Sequence, residues 1–383
     1  MKFYSLGELT NITSGFAWKS DGFNRSKEGL PIIRIQNMFP AESREFIYWN
    51  NEYDSAHLIK KNDLLLSMSG SFKLDIWNGP KALLNQRIAK IEIKNEKILE
   101  KKYLYYILKN SLDEIASLST QTSIANISIG NVRSFKVKIP SLKEQQNIIK
   151  QLEQADLLLE KRRESLLKID KLAQSIFLDM FGDPVTNSKK WESKGLLDAC
   201  KLYSGATPDT TNDSYWVGKI PWFSPKDLKK DDLWDAIDHI SESALEISKI
   251  KMLPKDTIVI VVRGMILVHT FPVTMLKVPG TINQDVKALL PRVDIHPQFL
   301  ASCIRAQRGF ILSQVSEAGH GTKRLDSEGL KKINILLPPK DLQQKFATAV
   351  EKINSLKVQS ITSLTSLEKL QKSISQQFFA TEL

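Results

Sequence analysis

The chain has 383 residues, 42% of them hydrophobic, which suffices for more than one core and suggests two to four domains. No run of eighteen apolar residues occurs and the start, MKFYSLGELTNITSG, has no apolar signal core, so no membrane span and a cytoplasmic location are expected. The net charge of +11 is spread evenly, with 27 basic against 21 acidic residues before Gly182 and 27 against 22 from there on. It suggests a polyanionic partner, most often nucleic acid, with a merely lysine-rich composition as the alternative.

In chain order, the short runs PIIRI (31–35), NDLLLSM (62–68), IAKIEI (88–93) and FKVKI (135–139) predict strands, and LEKKYLYYILKN (99–110) a helix. A proline stop at Pro140 then opens a long amphipathic helix that ends at Gly182, ahead of Asp183–Pro184. Beyond it, TIVIVV (257–262), DVKALL (285–290) and INILL (333–337) predict strands and HPQFLASCIRAQ (296–307) a helix. A second long helix follows Pro338.

The two halves repeat. Pro140, Gln145–Gln146, Glu153, Leu166, Ser175, Ile176 and Phe181 recur 198 positions on as Pro338, Gln343–Gln344, Glu351, Leu364, Ser373, Ile374 and Phe379. Upstream, NQRIAKI (85–91) answers NQDVKAL (283–289) at 198, YLYYIL (103–108) answers FLASCI (299–304) at 196, and Ser14–Gly15 answers Ser204–Gly205 at 190. A drifting offset is what small loop insertions leave in a duplicated unit. Similarity is high in the long helices and low in the domains before them.

Apolar residues in the long helices alternate steps of four and three. The seam residues are Ile148, Leu152, Leu159, Leu166, Ile169 and Ile176 in the first, and Phe346, Val350, Ile353, Leu364, Leu367 and Ile374 in the second. The simplest partner for each stripe is its twin, in an antiparallel coiled coil; packing of each helix on its own domain is the alternative. The predicted fold is α+β: two pseudo-twofold-related mixed α/β domains separated by two long helices. Their bounds are 1–140, 141–182 (spacer helix), 183–338 and 339–383 (spacer helix).

Chemistry motifs are lacking. There is no GxxxxGK loop, no GxSxG elbow and no NPP[FY] element. The five histidines do not stand at ligand spacing, and Cys200 and Cys303 have no CxxC neighbour, so no metal site is expected and a reducing compartment fits. Asp209, Asp227 and Lys229 loosely resemble a nuclease core, but the first half has no counterpart. Binding without catalysis is the better reading.

Taken together, ISIGNVRSFKVKIPSLKEQQNII (127–149), its weaker copy EGLKKINILLPPKDLQQKF (328–346) and MFGDPVTNSKKWE (180–192) resemble the specificity (S) subunit of type I restriction-modification enzymes. The starts LGELTNITSG and LLDACKLYSG, the GKIPWF segment and both NQ elements add to the likeness. One departure is Leu342, where the first copy has Glu144.

The resemblance implies two target recognition domains reading a bipartite double-stranded DNA site, with helices that space them and dock two methyltransferase (M) subunits and two restriction (R) subunits. It assigns S-adenosylmethionine, ATP and magnesium to those partners and no cofactor to this chain. Candidate DNA-binding residues, polar or basic and on loops or strand ends, are Lys19, Arg34, Gln36, Asn37, Lys73, Gln121 and Asn126 in the first domain. In the second they are Thr207, Lys226, Arg263, Lys323 and Arg324. Readings of other classes are a protein-binding coiled-coil scaffold and a metal-dependent nuclease.

Overall fold

The structure, a computed structural model, describes residues 2–38, 45–70, 72–117, 127–248, 250–317 and 321–379. Two compact units are present, Met1–Arg163 with Thr362–Leu383, and Glu164–Ile361.

In the first unit, β1 (Thr10–Ser14), β2 (Leu64–Ser67), β3 (Leu74–Ile76) and β4 (Ile88–Ile93) make an antiparallel sheet in the order β1-β4-β2-β3. The run DLLLS buries Leu64, Leu65 and Leu66 completely, because this central strand is covered on both faces. Helix α1 (Lys101–Ser117) lays Tyr103, Leu104, Ile107, Leu108 and Ile115 on one side, in a core with Leu64, Leu66, Ala89 and Ile91. A second sheet, of short strands, has Leu30–Ile33 parallel to Ala82–Leu84. Leu65, Ile33, Leu84 and Trp77 form the core between the two sheets.

The second unit repeats this plan. Strands β5 (Cys200–Ser204), β6 (Ile258–Val261), β7 (Val273–Leu276) and β8 (Val286–Pro291) take the order β5-β8-β6-β7, and a short strand Asp232–Leu233 extends the far edge. Registers agree residue by residue. Ile91 faces Ile12 and Leu64 in the first unit, and Leu289 faces Leu202 and Ile258 in the second. Ile32 faces Leu83, and Trp222 faces Thr281. A one-residue slip would turn every side chain to the other face, so shared register means shared core. Helix α3 (Pro297–Ala306) covers this sheet as α1 covers the first.

The strand expected over 31–35 stops at Ile33. Asn37 Oδ1 accepts the Arg34 N–H at 3.0 Å and turns Ile35–Met38 into a single 3₁₀ turn. At the other edge α1 runs past the expected 110 to Ser117.

Both long helices are forty residues, α2 (Leu142–Phe181) and α4 (Lys340–Phe379), about 60 Å each at 1.5 Å per residue. The repeated glutamine fixes their start. Gln145 Nε2 donates to the carbonyls of Pro140 (2.9 Å) and Ile98 (2.7 Å), and its Oε1 accepts the Glu100 N–H (2.8 Å). Gln343 Nε2 donates to Pro338 O (2.8 Å) and its Oε1 accepts the His296 N–H (2.9 Å). One buried amide therefore ties the long helix to the start of α1 in the first unit and of α3 in the second.

The departure at Leu342 changes only the cap. Glu144 accepts from the backbone and hydroxyl of Ser141 at 2.9 and 2.8 Å, whereas in α4 the Pro339 carbonyl takes the Leu342 and Gln343 N–H groups and Leu342 packs on the core.

Both readings of the apolar stripe hold within each unit. The first core takes Ile148, Ile149 and Leu152 from the head of α2 together with Ile374, Phe378 and Phe379 from the tail of α4. Further along, Gln371 meets Asp156 (3.3 Å) and Arg163 meets Glu368 (2.7 Å), so the segments run antiparallel. The second core takes Phe346 and Val350 from the head of α4 and Phe177 and Phe181 from the tail of α2, with Lys357 on Asp170 at 2.5 Å. Ile148, Leu152, Leu159, Phe346, Val350 and Ile353 are buried; Leu166, Ile169, Ile176, Leu364, Leu367 and Ile374 are half-buried. The heads of the helices are thus domain core as much as coiled coil.

Candidate nucleic-acid interface

Each unit gathers four chain segments around one turn, Asn85–Gln86–Arg87 in the first and Asn283–Gln284–Asp285 in the second. The asparagine makes the turn. Asn85 Oδ1 accepts the Arg87 N–H (3.3 Å), and Asn283 Oδ1 accepts those of Asp285 and Val286 (both 3.1 Å). The glutamine beside it points outward and is exposed.

Ser14–Gly15 and Ser204–Gly205 pass directly against this turn. A Cβ on Gly15 would lie 2.2 Å from Asn85 O, and one on Gly205 1.7 Å from Ile282 O, which explains the repeated glycine. The next residue then joins the edge. Phe16 N–H donates to Leu84 O and Gln86 N–H to Phe16 O (2.9 and 3.0 Å); Ala206 N–H donates to Ile282 O (3.2 Å).

From the other side, Met68 N–H donates to Arg87 O (2.9 Å) while its carbonyl accepts Ile127 N–H (3.0 Å). Val262 does the same with Asp285 O and Leu325 N–H (both 2.9 Å). The fourth segment arrives through Asn85 N–H on Ile33 O and Asn283 N–H on Phe223 O (3.2 and 2.9 Å).

The side chains on these matched backbones differ. In the first unit Lys19 and Gln36 are exposed, and Arg34 and Lys73 are half-buried. The Arg34 Nε is buried without a hydrogen-bond partner among the described residues. Asn37 is a correction. It is 1% exposed and its amide is spent on the Arg34 N–H and the Glu45 carbonyl, so it builds the turn and cannot reach a ligand. Gln121 and Asn126 lie outside the described residues.

In the second unit Thr207 reaches the turn itself. Thr207 donates to Gln284 Oε1 at 2.6 Å. Arg263 and Arg324 face each other in an antiparallel bridge, both exposed and neither ion-paired among the described residues. Two guanidinium groups opposed across a bridge repel, and an anion laid over them removes that cost. Lys323 holds Glu317 (3.0 Å) and Lys226 holds Asp238 (2.5 Å), exposed pairs that exchange cheaply for a phosphate.

Gln86, Arg87, Gln284 and Lys287, on or beside the two turns, were not among the sequence candidates. The signal was present in the doubled NQ, since an exposed residue kept in both copies answers no need of the core. Lys287 donates to Ser204 Oγ at 2.6 Å. Partial burial holds its ammonium below the ordinary lysine value, against the pull of Asp285.

The nuclease reading fails on geometry. Asp227 Oδ2 accepts from Ser224 N–H (2.8 Å) and its Oδ1 from Ile237 N–H (2.8 Å), so this carboxylate is the second unit's counterpart of Asn37. Asp209 is spent on the backbone and hydroxyl of Thr211 (2.9 and 2.7 Å), which hold its carboxyl below the usual range.

Comparison with known proteins finds the same duplication. The family model for the type I restriction modification DNA specificity domain matches residues 1–168 and again 188–370. The EcoR124I/EcoR124II specificity subunit of Escherichia coli is 29% identical over 263 residues, 67% of this chain and 63% of that one. The EcoBI specificity subunit of the same organism is 28% identical over 193 residues, 50% and 40%. The match thus spans less than two thirds of these curated relatives. The MjaVIII specificity subunit of Methanocaldococcus jannaschii is 23% identical over 341 residues, 83% of this chain and 78% of that one.

Two solved structures share the fold. The S subunit of a type I restriction-modification system from M. genitalium has a TM-score of 0.55 at 16% identity, covering 100% of this chain and 96% of that one. A chain from a study of complex assembly and conformational transition in the type I R-M system has 0.62 at 15%, covering 100% and 98%.

Proposed function

Because the chain belongs to the type I restriction-modification DNA specificity family, we propose that it is the non-catalytic subunit that selects the DNA target of such a complex. Each unit reads one half of a bipartite site. The observation that carries this is the pair of faces built by equivalent hydrogen bonds around Gln86 and Gln284 and furnished with unlike side chains. Equivalent backbones fit a common ligand, B-form DNA. Different side chains fit different base edges, with the lysines and arginines supplying phosphate contacts that set register.

The long helices act as spacer and as docking surface. Leu157, Leu158, Leu167 and Leu172 of α2, and Leu356, Val358, Ile361 and Leu370 of α4, are exposed aliphatic residues of the kind a docking surface presents. Two methyltransferase subunits cover them in this reading, and two restriction subunits join for cleavage. S-adenosylmethionine, ATP and magnesium serve those partners, and the complex works in the cytoplasm.

The test is DNA affinity of the purified complex against salt. The proposal expects log K to fall by about 0.9 per log unit of salt for each phosphate neutralised, on duplexes carrying the target and less tightly on random ones. A salt-insensitive, sequence-blind affinity would instead favour a scaffold that binds only proteins.

A further inference from the structure

We propose that the ring of Phe16 reads a thymine methyl group in the half-site bound by the first unit. The inference rests on the DNA-reading function proposed above and names one of its specificity contacts.

Phe16 is 49% exposed, yet both its backbone and its ring are held in place. Its backbone is bonded on both sides, to Leu84 O and from Gln86 N–H, and Gly15 allows that approach by lacking a Cβ. Its ring is buttressed by Trp18, edge-on at a centroid distance of 5.0 Å, and by His57 at 5.5 Å. Trp18 is anchored in turn by its indole N–H on Leu84 O (3.0 Å), and His57 Nδ1 lies 3.2 Å from Ser14 O. Trp18 belongs to a buried cluster with Ile32 and Leu83, so the ring rests on fixed core while half of it stays open to solvent. Gln86, whose N–H the Phe16 carbonyl accepts, is an exposed hydrogen-bonding neighbour.

An apolar surface fixed in place beside a hydrogen-bonding side chain matches one feature of the major groove. The thymine C5-methyl is the apolar group displayed there, beside acceptors and donors that a glutamine can pair with. The second unit has Ala206 at the equivalent position, with the same backbone bond to Ile282 O and an indole, Trp222, donating to its carbonyl at 3.0 Å. The amide bond to the edge is kept and the ring is not, as expected if the ring serves a base of one half-site only.

The test uses the complex with its methyltransferase subunits and a duplex of the target read from the methylome. Thymines of the first half-site are replaced one at a time by deoxyuridine, which removes only the methyl group. One replacement should weaken binding about fourfold, the effect of one buried methyl. In Phe16→Ala that penalty should vanish, and replacements in the second half-site should behave alike in both proteins. A first half-site without an A·T pair, equal affinity for every uracil duplex, or a penalty that persists in Phe16→Ala would overturn the proposal. Loss of all preference for the target over random DNA in the wild-type complex would overturn the DNA-reading function as well.

Discussion

Gln145 and Gln343 are buried amides in helices whose neighbours are mostly leucine, isoleucine and charge. Three hydrogen bonds close on Gln145, all to backbone groups. Gln145→Ala should therefore lower the unfolding free energy by about 2–3 kcal/mol, because the Glu100 N–H and two carbonyls lose their partner inside the protein. Guanidinium unfolding monitored by circular dichroism would check it; an unchanged midpoint would mean the amide is incidental. The repetition of this glutamine was legible in the sequence, but its reason was not, since its partners stand 45 and 47 positions away. The same blindness misplaced Asn37. A polar residue at a strand end reads as surface until the Arg34 and Glu45 backbone groups are seen to close around its amide.

At the scale of the element, the two helix starts reach one geometry by different chemistry, and this has a pH signature. Ser141 donates from its hydroxyl and its backbone to Glu144 and holds that carboxyl below the usual range. A folded-state value depressed in this way contributes stability above the ordinary carboxylate range, and the contribution is lost as pH falls through the folded value. Leu342 gives α4 no such group. Thermal melts from pH 7 to about pH 3 should show wild type losing its advantage over Glu144→Gln on acidification, while Leu342→Gln tracks wild type in slope. Parallel curves for wild type and Glu144→Gln would contradict the capping role.

Element existence was well marked by periodicity: the strand at 88–93 and both long helices stand where alternation and heptads put them. The second sheet, of two- to four-residue strands, was poorly marked, because such strands hold too few alternations to register.

For the molecule as a whole, duplication is the property from which function follows. Comparing the copies separates what the scaffold requires, such as Gly15 with Gly205 and Asn85 with Asn283, from what the ligand requires, such as Phe16 against Ala206. If the helices set the distance between half-sites, inserting four residues after Arg162 and four after Ser360, about one helical turn in each, should lengthen the unread gap and leave both half-sites as they were. An unaltered gap would remove the ruler from the account.

The central claim, that each unit reads its own half of one split site, is tested most directly by methylome sequencing of cells carrying either the wild-type gene or Arg263→Ala. The first strain should show a two-part methylated motif and the second the same motif relaxed in one half alone. A motif without a gap, or one that relaxes in both halves together, would contradict it.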